Sequence, residues 1–571
     1  MKNRQTSGFW LLAVLLSLVT VFALACASSD PTATPIPPAQ PAPAVAPTAA
    51  PSSAPTSVSA ATPIPAVATA TPSRALPTAT PAATSGQPAY GGTLRYAGRM
   101  EDTTLDPAYV IASGSYRPVF AVFNNIVQLA PDGSIKPDLA QSWEYTPDGK
   151  TITFHLQTNV KFQDGTPFNA QAIKWNFDRI LDPNNISPRR GSINGIVTSV
   201  EVVDQDTLRM RLNQPYRPLL ADLTDRTGWI SSPDAVRKLG RDYGRRPVGT
   251  GPFILKNWLP DEYLQMDKNP NYWEKGKPYL DAIRILVLGD PSTTLAMLRT
   301  GEADVVETLN PQDIRIVQAS SNMKLSPPIA GRTEIMNFNV SMAPFNNKAL
   351  RQAVGFGIDR ETAVRVAFGG VATPAFTLIS SGWAYNPDIK PIYYDPQKSK
   401  QKLAEAGYPN GVTLNLGCRT SQQELTECQT YQAMLKDVGI TINIVPIPSQ
   451  EYTSPTGFIT RTGFGTLRWS PRADPAILLH SQGNSRDTTY AYYRAGWNND
   501  RVNQLLDEAA TIYDIAKAKV MYDEAQNLIA EDGPYVYIAW RREWIALGSK
   551  VQNWQWRPDA FHRLRELWID K

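Results

Sequence analysis

The sequence predicts an α/β protein of more than one domain, exported from the cytoplasm. Three observations carry this. Its 571 residues exceed what one hydrophobic core usually holds. From about residue 90 onward, alternating strand patterns and amphipathic helix patterns succeed one another. Ahead of them lie an apolar run and a long stretch of Pro, Thr, Ala and Ser that fits neither pattern.

The first segment, residues 1–25, reads as a signal peptide: Lys2 and Arg4 are its positive start, and residues 9–24 are apolar and uncharged. It ends Ala23-Leu24-Ala25-Cys26, which resembles the lipobox of bacterial lipoproteins, with Cys26 as the lipidated residue and Ala23 where those usually carry Leu. The run is short for a membrane span. Residues 26–89 contain Asp30 and Arg74 as their only charges and lack the apolar periodicity that repays ordering entropy. Such a proline-rich chain is a stiff tether that reaches on the order of 190 Å. The expectation is a lipid-anchored protein on the outer face of the cytoplasmic membrane, which is the periplasmic side if an outer membrane exists.

Composition beyond the tether is globular, with 42% hydrophobic and 19% charged residues overall. Net charge is +4 and falls to +2 without Lys2 and Arg4, so nothing argues for nucleic acid. His155, His480 and His562 are far apart in sequence, with no metal-ligand spacing, and no metal or cofactor is expected. Cys418 and Cys428 could pair in an exported protein, but their spacing alone leaves the disulfide open.

Taken in order, residues 91–96 form a strand and Thr104-Leu105-Asp106-Pro107 a turn. Residues 119–129 are apolar enough for a helix or a buried segment. Residues 143–145 and 152–156 alternate as a hairpin around Asp148-Gly149. Asn169 then stands where an N-cap belongs, ahead of Ile173, Phe177, Ile180 and Leu181 on one helical face. A strand pair covers 196–212. Gly249-Thr250-Gly251 is a structural turn and no phosphate loop, since no Lys-Ser/Thr follows and Pro252 removes an N–H donor. Further strands are expected at 281–288, 334–340, 412–416 and 440–445. Helices are expected at 291–299, from Asn347 through Ile358, and at 398–406, 424–438, 499–510 and 516–530.

The run Pro137-Asp-Leu-Ala-Gln-Ser-Trp143, Thr153-Phe154-His-Leu156 and Val160-Lys-Phe162-Gln-Asp-Gly165 resembles the signature of family 5 extracellular solute-binding proteins, the peptide, nickel and oligopeptide receptors of ABC importers. Val248-Gly-Thr-Gly-Pro-Phe253, Asn269-Pro-Asn-Tyr-Trp273, Gly301-Glu-Ala-Asp304, the segment from Pro344 to Arg360 and the return strand at 531–538 resemble further family elements. The resemblance implies two lobes of a periplasmic-binding-protein-like fold joined by two hinge strands. Lobe 1 would be 90–335 plus 538–571, with an inserted subdomain at about 131–248. Lobe 2 would be 336–537, with the crossing near 344–360.

It also implies function: a monomeric receptor that captures an oligopeptide or related small solute and delivers it to the transmembrane subunits of an ABC permease. A non-peptide ligand (oligosaccharide, opine or metal chelate) is the alternative. An enzyme is not expected, because no G-x-S-x-G, H-E-x-x-H or Cys–His constellation is present. In peptide-binding relatives, the loop matching Trp469-Ser470-Pro471-Arg472-Ala473-Asp474 carries an acid that holds the peptide ammonium; here Arg472 or Pro471 falls at that position. Arg472 would then either brace the loop by pairing with Asp474 or Asp106, or bind an anionic ligand group. Trp469, Ser470, Asp474, Trp383, Tyr116, Arg332, Tyr492 and Trp497 complete the expected cleft, because their segments border it in relatives.

Overall fold

A computed structural model describes residues 87–571 except 101–102, 111–112, 186, 453, 455, 488–490 and 495, and of 113, 330, 449–450 and 492 it describes the backbone alone. The expected signal peptide, the Cys26 lipidation site and nearly all of the tether lie outside the described residues.

Two large sheets organise the rest. The first has seven strands in the order Met323–Leu325, Ala546–Gly548, Val305–Val306, Thr93–Gly98, Ala282–Val287, Tyr263–Lys268 and Phe253–Leu259. Thr93–Gly98 runs parallel to Ala282–Val287, with Thr93 opposite Ala282. The second has six, in the order Ala372–Pro374, Tyr535–Glu543, Ile329–Phe338, Phe464–Trp469, Val412–Arg419 and Ile440–Ile447. Its strands show the period-two division of a sheet covered on both faces. Ile335 and Tyr537 enter one core, whereas Met336, Phe338, Val536 and Ile538 enter the other.

A third sheet of four strands, Ala140–Tyr145, Thr151–Leu156, Thr207–Leu212 and Val197–Val202, carries the helix Ala170–Leu181. Asn169 caps that helix by accepting from the Ala172 amide at 2.9 Å, and Ile173, Phe177 and Ile180 are buried beneath it. Gly249 and Gly251 let their turn press on the end of the helix Tyr116–Val122: a Cβ would lie 2.3 Å from the Val122 carbonyl oxygen at the first and 2.4 Å from the Val122 carbonyl carbon at the second. The Gln163 side-chain amide donates to the Gly251 and Phe253 carbonyls and locks the turn in place.

Three expectations change. The chain passes from the first sheet to the second between Leu325 and Ile329, earlier than 344–360. Ile329–Phe338 and Tyr535–Glu543 each lie whole in the second sheet, so the expected divisions at 335/336 and 537/538 fall inside strands. The helix after Asn347 ends at Phe356, because Asp359 accepts from the amides of Glu361 and Thr362 and starts a new helix, Arg360–Ala367. Cys418 and Cys428, left open by sequence, are bridged, with Cα atoms 6.5 Å apart.

Candidate functional site

The two passages between the sheets are hydrogen-bonded to each other. The Ser326 amide donates to the Ile545 carbonyl at 2.9 Å, and the Ile545 amide donates to the Ser326 hydroxyl at 2.9 Å. Just beyond them, Arg332 and Glu543 face each other at 3.7 Å. Together with Ser470 they form one wall of a small cavity. The opposite wall comes from Arg117 on the helix Tyr116–Val122, Glu307 just past the strand Val305–Val306, and Asp559, Phe561 and His562 of the C-terminal segment.

These groups are pre-set by their neighbours. Arg117 is buried, donates to Glu307 at 2.7 Å and lies 4.9 Å over the Tyr96 ring. His562 shares a 2.5 Å hydrogen bond with the Tyr96 hydroxyl and packs against Trp554 and Trp556. Burial first, then the nearby Arg117 charge, lowers its pKa to about 3, so the ring stays neutral. Asp559 is held by both guanidinium nitrogens of Arg563 at 2.9 and 2.6 Å.

A second polar cluster adjoins this cavity through Phe561. The short helices Leu219–Asp222 and Arg226–Gly228 bring Asp222, Asp225 and Arg226 together. Thr227 donates to Asp222 at 2.8 Å, and Arg226 lies 4.7 Å over the Tyr116 ring. Burial pushes the Asp222 carboxyl up to about 7 and Asp225 to about 6, against the pull of Arg189 and Arg472. Arg189 is 2% exposed, and its Nε and Nη2 have no hydrogen-bond partner among the described residues. Arg472 reaches this cluster from the second sheet. It lies 5.8 Å over the Phe561 ring, donates to the Pro471 carbonyl, and forms no ion pair among the described residues.

The bracing pairs expected for Arg472 are filled by other arginines. Asp474 is bound by both guanidinium nitrogens of Arg217, and Asp106 by those of Arg179 at 2.9 and 2.5 Å. Asp474 also caps the helix Pro475–Gly483, so both its oxygens are engaged. Trp383 lies beneath Arg217 at 4.6 Å and against Tyr522, so its face is covered by protein. Trp497 is 5% exposed within a hydrophobic core and is no cleft wall. Trp469 is buried edge-on to Tyr493. Tyr116 is buried too, but its ring meets Phe561 at 4.5 Å and so backs the charged cluster. Ser470, Arg332 and Arg472 reach the cavity or its margin. The Tyr492 side chain lies outside the described residues.

Sequence reasoning missed Arg117, Arg189, Asp222, Asp225, Glu307 and Asp559. One signal was present: Asp222, Asp225 and Arg226 stand close together in a run, 219–230, that is flanked by Leu219, Leu220, Trp229 and Ile230, and charges carried into a core are costly unless they are paired.

Comparison with known proteins agrees with this architecture. Residues 134–499 match the model of the bacterial extracellular solute-binding proteins, family 5. The glutathione-binding protein GsiB of Escherichia coli (strain K12) is 31% identical over 479 residues, which cover 80% of this chain and 91% of that protein. Among solved structures, the periplasmic binding protein DppA from Helicobacter pylori in complex with the peptide STSA aligns with TM-score 0.79 and 27% identity, over 85% of this chain and 99% of that one. The binding protein AgaA from A. tumefacien R10, in complex with agropinic acid, aligns with TM-score 0.77 and 26% identity, over 84% of this chain and 99% of that one. With its two lobes and the cavity between them, this chain belongs to the bacterial extracellular solute-binding proteins of family 5, the extracytoplasmic binding proteins of ABC importers, and is not an enzyme.

Proposed function

We propose that this protein captures a small peptide-like solute bearing a carboxylate between its lobes and delivers it to the transmembrane subunits of an ABC permease. Cys26 anchors it by lipid, residues 26–89 hold it off the membrane, and the receptor works as a monomer. The two passages 326–328 and 544–545 act as the hinge, and ligand burial supplies the free energy that favours closure. In this reading Ser470, Arg332, Tyr116 and Arg472 belong to the ligand site.

The observation that carries it is Arg472: a guanidinium at the inter-lobe cluster with no ion pair among the described residues, beside Arg189 with two unpartnered nitrogens. Planar five-donor cations in a water-poor cleft favour carboxylates. An opine would offer carboxylates to the same arginines, and the likeness to the agropinic acid complex of AgaA favours it as the second reading.

Native mass spectrometry of the purified protein separates the two, because a co-purified mass that is lost on unfolding names the class. Arg472→Ala should weaken binding of that solute by about 10- to 100-fold, the scale of one lost charge-assisted hydrogen bond. Its thermal stability without ligand should stay near wild type. Unchanged affinity would remove Arg472 from the site.

A further inference from the structure

We propose that His562 is a neutral hydrogen-bond donor to the solute, its Nε2–H turned into the cavity towards an uncharged acceptor such as a peptide carbonyl. The inference rests on the peptide-like solute proposed above and names the ligand group that one cavity residue reads.

The tautomer follows from the neighbours of the ring. The Tyr96 hydroxyl is fully buried and lies 2.5 Å from His562 Nδ1. Burial holds that phenol well above its ordinary pKa, so it keeps its proton. The Arg117 guanidinium acts on the same hydroxyl as a hydrogen-bond donor, since it has nothing to accept with. The phenol oxygen is therefore the acceptor towards Arg117, and its own proton goes to Nδ1. A neutral imidazole carries one proton, and with Nδ1 accepting, that proton sits on Nε2. Trp554 and Trp556 flank the ring, each with centroids 5.2 Å away, and hold it in this orientation. Tyr96 is thus the positioning residue and His562 the reader.

His562 lines the cavity, and its Nε2 has no hydrogen-bond partner among the described residues. The residue is 7% exposed, and a donor so nearly buried is costly to leave unpaired. The charges around it are engaged with one another: Arg117 with Glu307, Arg332 with Glu543, and Asp559 with Arg563. Two cations, Arg117 and Arg332, and two acids, Glu543 and Asp559, act on the ring with opposite signs. So balanced a surrounding favours no ionised ligand group at this point, whereas a carbonyl oxygen needs only the N–H.

The test is nitrogen NMR of the full-length protein carrying isotope-labelled histidine. Its three histidines give three ring signals, and that of His562 is the one lost in His562→Gln. Wild type should show a neutral ring protonated at Nε2 from about pH 5 to pH 8, a range in which an ordinary histidine changes charge. Tyr96→Phe should release the ring towards a mixture of tautomers. The Nε2 signal should move when glutathione or the peptide Ser-Thr-Ser-Ala binds, with binding followed in parallel by titration calorimetry. His562→Phe, which keeps an aromatic ring without the donor, should weaken binding of that solute about 10-fold. His562→Gln, whose amide reaches the Nε2 position, should recover most of that loss. A proton on Nδ1, or a ring that charges within this range, overturns the proposal; both are read on wild type, whether or not the variants fold. A solute that binds without moving the Nε2 signal overturns the donor role alone, as does unchanged affinity in His562→Phe. Wild type that binds neither solute overturns the peptide reading, and the donor role with it.

Discussion

Asp222 and Asp225 are ionisable groups whose environment works against ionisation, and that has a consequence in the unliganded protein. An unfolded aspartate ionises near pH ~3.9. Burial holds the proton on Asp222 to about pH 7 and on Asp225 to about pH 6, with Arg189, Arg472, Arg563, Arg226 and Asp559 as the surrounding charges. Between pH ~4 and these values the native state binds more protons than the unfolded one, so its stability falls as pH rises, and above about pH 7 the penalty is constant. Urea unfolding at pH 5 and pH 7.5 should therefore show a smaller loss of stability in Asp222→Asn than in wild type; parallel losses would mean that Asp222 ionises normally. Glu424 works in the opposite sense. Burial alone would raise its pKa, but Arg468 and Arg419 outweigh it and hold it down to about 2. Its contribution is present above the unfolded pKa of ~4.3 and is lost only as pH falls towards 2.

At the scale of single elements, local chemistry decides most boundaries, and local chemistry is what a sequence displays. Asn169 marks the start of Ala170–Leu181 because a side-chain oxygen there satisfies an orphan amide; Asn169→Ala should cost about 1 kcal/mol in unfolding free energy. Asn347, Ser421 and Asn499 mark helix starts in the same way. Where the reading overran, as past Phe356, a second cap at Asp359 lay within three residues of the first helix's end, and periodicity alone does not separate two short helices. The Cys418–Cys428 bridge needed the packing of Gln422–Lys436 on Val412–Arg419 before its geometry existed. It closes a loop of sequence separation 10, so replacing both cysteines by serine should lower stability by about 3 kcal/mol, read as a shifted denaturation midpoint at unchanged slope. The charged cluster was illegible for a related reason. Arg189, Asp225, Arg472 and Asp559 come from four remote segments, and only the folded chain brings them together.

For the whole molecule, the proposed hinge makes a latch of the contacts that Tyr145 and Arg217 form with the segments around Trp383, Asp474 and Tyr513. Arg217 grips Asp474 at the start of Pro475–Gly483, lies 4.6 Å over Trp383, and donates its amide to the Ala510 carbonyl at 2.9 Å. Tyr145 meets Tyr513 edge-on nearby in sequence to the same helix pair, with ring centroids 5.8 Å apart. Rotation about the two passages that join the sheets must part these groups. Both members of the ion pair are nearly buried here and would be solvated when the lobes separate, so its net worth depends on partners being complete. Arg217→Ala leaves Asp474 buried and unpaired only in the closed form, which should disfavour closure by about 3 kcal/mol, a shift of roughly 100-fold in the closed-to-open ratio. Small-angle scattering of the unliganded variant should show a larger radius of gyration than wild type, and bound solute should dissociate faster. Arg217→Lys, which keeps the charge but loses the two-pronged grip, should fall between the two. A variant with the scattering profile and dissociation rate of wild type would show that closure is set by the ligand and the hinge alone.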